Sequence, residues 1–427
     1  MTLAKSLLLG SAAGLMAVAG AHAADLPMKK AAPVEYVRVC SAYGAGFFYI
    51  PGGETCLKIS GRVRAEYRYL EPEFRADSAS GWRTRGQLNL DSRTATAYGT
   101  LRTFIRFEST FNSGSYSAAN AENFDLNKAF IQFAGITAGI TSSFFDFYAN
   151  GLNWGGLPTG SDTYAVDPVV FAYTASFGSG FSATISLEDP NARQTTGGAA
   201  SALAYAGDRM PDVVGNLRVD QAWGSAQLSG AVHQIMGLNR TPVGTYVDTD
   251  YGFAVQAGVQ INMPFLAPGD QLWLQAAYAT GAVSYLGLGS SYNQNSVRTT
   301  VSDADVDALG DVKKTAGDVL TAAFLHSWTP QIRQGVFGTY GRVDAPTAVA
   351  ALPVAGVYAS GSITDISWWQ IGTNLTWTPV KGLDIGGEVV YRVVDPKGRI
   401  AVPAPFGAYS VAKDDAFEAR LRIQRDF

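Results

Sequence analysis

The chain has 427 residues, 47% of them hydrophobic and 12% aromatic, with 47 glycines and a mean hydropathy of +0.04. Its 32 basic and 36 acidic residues leave a formal charge of −4, which offers no basic surface for nucleic acid. Near-neutral hydropathy without a long apolar run excludes a helical membrane bundle and suits a sheet whose two faces cancel.

At the amino terminus Lys5 precedes an apolar run from Ser6 to Ala19, and Ala21-His22-Ala23 has the small-x-small pattern of a signal-peptidase site. The run, about 14 residues, is too short to cross a bilayer of roughly 30 Å. Residues 1–23 are therefore expected to be an export signal and the mature chain to start at Ala24, with 31 basic residues against 36 acidic once Lys5 is gone. Residues 24–56 are expected to be a periplasmic segment ahead of the barrel, 57–427. This segment holds both cysteines, Cys40 and Cys56. In an oxidising compartment they would pair, closing a loop of about 16 residues worth roughly 3 kcal/mol in the chain-entropy model; two buried thiols are the alternative. A zinc site is not expected, because neither His233 nor His326 is near in sequence and two thiolates do not complete a tetrahedral shell.

From there the chain reads as period-two strands near 57–69, 83–93, 96–110, 127–134, 136–146, 167–177, 180–188, 212–222, 224–236, 250–262, 270–286, 318–328, 332–343, 365–378, 381–394 and 414–427. Short turns at Thr94, Gly135, Ser179, Gly224, Pro330 and Lys381 alternate with much longer connections. That alternation is expected of an up-and-down membrane barrel whose rims face different compartments, and an even strand number lets the first strand pair with the last. The turns at Trp328-Thr329-Pro330 and Trp377-Thr378-Pro379 each place an indole at the interface depth. The fold class is thus all-β, a sixteen-stranded antiparallel transmembrane barrel.

The polar faces are the candidate site. The first strand sets Lys58, Ser60, Arg62, Arg64, Glu66 and Arg68 against Leu57, Ile59, Val63, Ala65, Tyr67 and Tyr69; the second offers Arg83, Arg85, Gln87, Asn89, Asp91 and Arg93; the third adds Arg102, Arg106 and Glu108. In the last strand Phe417, Ala419, Leu421, Ile423 and Phe427 alternate with Glu418, Arg420, Arg422, Gln424 and Asp426, with Arg425 as the exception. Closure would make these four strands one basic wall threaded with carboxylates. So many charges cannot fill a dry core without costing several kcal/mol each when unpaired, so the wall is expected to face water in a lumen. The connection from Phe147 to Val166 is rich in glycine and flanked by Asp146 and Asp167, with Asp162 inside it. Folded inward it would narrow the lumen and set a field across it; turned outward it would be a surface loop.

Asp303-x-Asp305-x-Asp307 has the start of a calcium loop, but Ala308 stands where glycine makes the turn and Lys314 where the bidentate Glu belongs. No Gly-Lys pair, Gly-x-Ser-x-Gly or His-Glu-x-x-His occurs, so no catalytic residue, cofactor or metal is expected.

The block Val39-Cys40-Ser41-Ala42-Tyr43-Gly44-Ala45-Gly46-Phe47-Phe48-Tyr49-Ile50-Pro51-Gly52, followed by Thr55-Cys56-Leu57-Lys58-Ile59, resembles the start of the alphaproteobacterial porins of the rhizobial and brucella type. Ala24-Asp25-Leu26-Pro27 resembles their mature amino terminus, and Ala129-Phe130-Ile131-Gln132-Phe133-Ala134-Gly135, Ser143-Phe144-Phe145-Asp146 and the terminal aromatic strand match as well. The resemblance implies a homotrimeric outer-membrane porin among lipid and lipopolysaccharide, with its third external loop folded inward as a constriction and Phe427 as an assembly signal. The expected function is passive diffusion of small hydrophilic solutes and ions. A substrate-specific channel is the first alternative, for which Tyr340, Trp368 and Trp273 have lumen parity but are scattered; an outer-membrane hydrolase is the second.

Overall fold

The structure, a computed structural model, describes residues 38–117, 120–154, 166–196, 203–238, 244, 246–289, 291–294, 297–307, 309–346, 357–358, 362–401 and 409–427. The expected export signal lies outside these residues.

Sixteen long strands form one antiparallel sheet: β1 (Cys56–Leu70), β2 (Ser80–Thr96), β3 (Gly99–Gly114), β4 (Ala121–Phe133), β5 (Ile136–Ile140), β6 (Val169–Gly178), β7 (Phe181–Glu188), β8 (Asp212–Gln221), β9 (Gly224–Met236), β10 (Thr249–Asn262), β11 (Gln271–Thr280), β12 (Ala316–Thr329), β13 (Ile332–Asp344), β14 (Ile366–Val380), β15 (Leu383–Pro396) and β16 (Asp414–Asp426). Each pairs with its successor, and β16 also pairs with β1 from Arg62↔Asp426 to Leu70↔Glu418, closing the barrel. Closure removes the open edges that hydrocarbon would not tolerate. All sixteen expected strands are present.

Two of them stop early. The expected strand 136–146 ends at Ile140, because residues from Ser143 onward bond to groups inside the barrel instead of a neighbouring strand. The expected strand 270–286 ends at Thr280 and continues into a 3-10 turn, Val283–Leu286, whose four residues are buried with Val319, Val343 and Trp368 near the long-loop rim. At the other rim the hairpins are tight: Ala134 and Gly135 take φ of 49° and 87°, the pair of positive angles that matches strand twist in a two-residue turn.

The outer face is apolar. Ile59, Val63, Ile185, Leu228, Ile371 and Leu421 are exposed there, and Trp328 and Trp377 stand exposed beside the short turns. The seam is closed by the carboxy terminus, where Phe427 and Gly61 exchange backbone hydrogen bonds of 3.0 and 2.9 Å. A Cβ at Gly61 would collide with the Phe427 ring, so the glycine makes room for the terminal aromatic. Just beyond this point a short strand, Phe48–Tyr49, pairs with Cys56 and Leu57, and a Cys40–Cys56 disulfide ties it to β1.

Candidate functional site: a basic wall and an inner belt

The alternation in β1, β2, β3 and β16 sends their charged residues inward. Lys58, Arg62, Arg64, Arg68, Arg83, Arg85, Arg93, Arg102, Arg106, Arg420 and Arg422 share this face with Glu66, Asp91, Glu108, Glu418 and Asp426, eleven basic side chains against five acidic. Neighbouring strands lie about 4.8 Å apart, so like charges here are relieved by carboxylates placed across the ladder or two residues along the same strand. Arg62 reaches Asp426 at 2.6 Å, Arg85 reaches Glu108 at 3.3 Å, and Arg93 and Arg102 share Asp91 at 2.9 and 3.0 Å. Arg422 bonds Glu66 at 2.6 Å, and Arg420 bonds Glu418 at 2.6 Å. Three arginines have amide partners instead: Arg64 donates to Gln424, Arg83 to Asn112 and Arg106 to Asn89, and none has a carboxylate in ion-pair range among the described residues.

Opposite this wall the chain after β5 runs along the inside. Ser143 Oγ and Phe144 N–H donate to Glu188 of β7 at 2.6 and 3.0 Å, and Asn216 of β8 donates to Phe144 O at 2.7 Å. Gln227 of β9 donates to Asp146 O at 3.0 Å and Gln256 of β10 to Phe145 O at 2.8 Å, while Tyr148 N–H donates to Gln275 of β11 at 2.9 Å. Farther along, Asn374 of β14 donates to Leu152 O at 2.7 Å. Trp154 N–H donates to Glu388 of β15, and Arg420 of β16 donates to Trp154 O, both at 2.8 Å. An irregular segment away from a sheet must satisfy its own backbone groups, and side-chain amides, which donate and accept, suit the task. Phe147 lies 5.3 Å from Trp273 and rests where Gly258 leaves space, since a Cβ there would meet its ring.

Asp146 pairs at 3.5 Å with Arg193, whose side chain is fully buried, and Asp167 pairs with Lys128 at 3.2 Å. Asp162 lies outside the described residues. At the short-turn rim Arg93 stands 4.9 Å over the buried Phe47, so the disulfide-tied segment packs against inward-facing side chains.

A family profile described as "Porin subfamily" matches residues 25–419. The chain belongs to the porin family. Porin Omp2b of Brucella suis biovar 1 and of Brucella abortus strain 2308 are each 35% identical over 292 residues, covering 65% of this chain and 74% of each relative. In fold the chain resembles the crystal structure of the outer-membrane channel DcaP of Acinetobacter baumannii, with a TM-score of 0.64 and 18% identity over 89% of this chain and 99% of that one. This porin is an outer-membrane channel for passive diffusion of small hydrophilic solutes and ions, and not an enzyme. Sixteen strands is the size at which a barrel leaves an aqueous channel instead of a packed core.

Tyr340 is a correction. It stands on the outer face with Val336, 47% exposed, and its parity partner Arg342 pairs outside with Asp318. Trp368 and Trp273 do point inward, one packed under the long loops and the other against Phe147 and Tyr148. Two further features of the site were not expected from the sequence. Phe104 and Phe130 stack on the inner wall 5.3 Å apart, with Arg102 5.3 Å from each; Phe104 shares the parity of Arg102 and Arg106, which was the available signal. The inward amides Gln227, Gln256 and Gln275 on three successive strands were another, unexplained by lumen hydration until a backbone is laid against them.

Proposed function

We propose that solutes pass between the basic wall and the segment 143–154, which acts as the constriction. The observation that carries this is the series of hydrogen bonds between Ser143 and Trp154 that reaches the inward faces of β7 to β11 and then of β14 to β16, opposite β1 to β3. Arg62, Arg64, Arg85, Arg102 and Arg106 then line the path. Arg420 and Arg422 hold the carbonyl of Trp154, at 2.8 and 3.3 Å, and set where the segment ends. With Asp146 and Asp167 already paired to cations, the eleven-to-five balance of the wall dominates the field and raises the local concentration of anions. Replacing Arg102 and Arg106 together by glutamine is expected to shift the reversal potential in a KCl gradient toward cations; an unaltered reversal potential would show that neither faces the path.

The porin is proposed to be exported by residues 1–23, with 24–56 on the periplasmic side, and to assemble as a trimer among lipid and lipopolysaccharide. Support for a neighbouring barrel comes from β5, whose five residues span about 17 Å, short of the roughly 25 Å apolar band of such barrels. A second copy would cover this low stretch of wall, where Phe124, Ile131 and Ile136 are exposed. Purified protein should open in steps grouped by three in a planar bilayer, and single independent steps would contradict the trimer.

A further inference from the structure

Where the inner segment ends, a cavity of about 350 Å³ lies between it and β1, β13, β14, β15 and β16. The volume is within the range of small-molecule sites. Four guanidinium groups line it, from Arg62, Arg64, Arg333 and Arg422. Three have a carboxylate partner at 2.6 Å: Arg62 has Asp426, Arg333 has Asp384 and Arg422 has Glu66, which also lies 3.5 Å from Arg420, itself paired with Glu418. Arg64 has none; its Nε donates to Gln424 at 2.9 Å, and no carboxylate among the described residues comes within ion-pair range. The cavity therefore presents one uncompensated positive charge in a confined, half-buried setting.

The rest of the lining has a different character. Asn150, Asn153, Asn374 and Gln424 contribute amides and Thr376 a hydroxyl, groups that both donate and accept; Asn153 already bonds Asn150 and Tyr148, Asn374 bonds Leu152 O and Glu388, and Gln424 bonds Arg64 and Asp426, so a solute would use the positions that these bonds leave. Trp154 adds an indole; its backbone N–H and C=O are hydrogen-bonded to Glu388 and Arg420, and the Arg422 guanidinium lies 4.3 Å from its ring. An inorganic salt ion would use the charge and leave the amides to water. A neutral sugar would use the amides and leave Arg64 unmatched. A dianion such as a phosphate ester would bring one charge too many.

We infer that this cavity is a binding subsite for small polyhydroxylated monocarboxylates, the sugar acids, whose carboxylate docks on Arg64 while their hydroxyls bond the surrounding amides. The inference rests on the proposed path along the wall and adds the class of solute that pauses there. No bond is made or broken; the solute is held and released along its gradient. A carboxylate on a guanidinium edge makes the stronger, charge-assisted kind of hydrogen bond, and the amides add specificity for hydroxyls.

The test is single-channel KCl current through the purified porin in a planar bilayer, titrated with gluconate, acetate or glucose as probes. Gluconate should reduce the current saturably in the millimolar range, and acetate and glucose should be at least about tenfold weaker, since each lacks half of the recognised groups. Arg64→Gln should raise the half-effect concentration of gluconate about tenfold, Arg64→Lys should restore part of it, and Arg342→Gln on the outer face should change nothing. Gluconate no stronger than acetate, or a gluconate effect indifferent to Arg64→Gln, would overturn the inference while leaving the channel intact. Absence of KCl current in the unaltered protein would overturn the path and the subsite together.

Discussion

Two sides of one barrel solve the same problem in opposite ways. On β16 and β1 to β3 the inward side chains are charged and satisfy one another within the sheet, as Arg93 and Arg102 do through Asp91. On β8 to β11 four of them, Asn216, Gln227, Gln256 and Gln275, are amides satisfied by a stretch of backbone brought in from the loop after β5. Charge that pairs laterally leaves its surface open to solutes, whereas amides matched by an incoming chain are covered by it. One half of the wall is therefore the candidate conducting surface and the other a seat.

The largest break in this comparison is expected where the halves meet, at Arg420. Its head lies among Glu418, Glu66 and the Trp154 carbonyl, and its side chain is 2% exposed. Arg420→Ala strips a buried ion cluster of one partner, a loss of about 3–5 kcal/mol. The midpoint of urea unfolding in lipid vesicles should fall accordingly, and an unchanged midpoint would mean the junction does not hold the seat in place.

Next in size is the disulfide. Replacing Cys40 and Cys56 by serine removes a constraint worth roughly 3 kcal/mol, confined to the segment that packs Phe47 beneath Arg93. Protease should then cut near residues 44–54 while the barrel stays whole; equal resistance with and without the bridge would show that pairing with β1 suffices.

A smaller effect concerns Asp303, in the long connection between β11 and β12. It is fully buried and accepts from Thr195 N–H at 2.6 Å, Val283 N–H at 2.8 Å and Tyr205 O–H at 2.8 Å, with His233 and Asp212 of the wall and Arg193 and Tyr285 of the loops close by. Burial pushes its carboxyl up to about 6. Between the ordinary carboxylate value, about 4, and that raised value, only the docked loop holds the proton. Docking therefore strengthens as pH falls through this window, by up to about tenfold per pH unit, and is independent of Asp303 below it. The protection factors of the Thr195 and Val283 amides, which divide out the intrinsic pH dependence of exchange, should rise from pH 6.5 to 4.5, and Asp303→Asn should abolish that rise; the same rise in the variant would assign it elsewhere.

The smallest effect belongs to one side chain of the seat. Asn374→Ala deletes the bonds to Leu152 O, Glu388 and Gly335 N–H, each worth about 1 kcal/mol, and should appear as added open-channel noise with a smaller fall in unfolding midpoint than Arg420→Ala. Noise identical to the unaltered protein would place residue 152 outside the constriction.

Much of this was legible in the sequence because a strand shows its faces at period two. Arg62, Arg64 and Glu66 could be assigned to one face without coordinates, and the pairing of the first strand with the last follows from an even strand number, while the register that sets Arg62 against Asp426 is seen only in the structure. Residues 141–146 were not legible, because Phe144 keeps the parity of Ile136 and Ile140 while its backbone leaves the strand; local pattern does not register a partner such as Gln256, 111 residues away from Phe145. Asp146 shows the same limit from the other side, since an acid that reads as lumen charge is taken by Arg193 of a different connection. Tyr340 failed for a simpler reason: an aromatic sits equally well on a lipid face and in a channel, and only the register with β12 decides.

The difference between the two halves is tested most directly by single cysteines in a planar bilayer. Placed at Arg85 or Arg106, a cysteine should react with a charged methanethiosulfonate reagent and reduce the conductance of each step; placed at Ser229, behind the Phe145–Asp146 backbone, it should leave conductance unaltered. Equal block at Ser229 and Arg106, or no block at either arginine position, would contradict a path that runs along the basic wall.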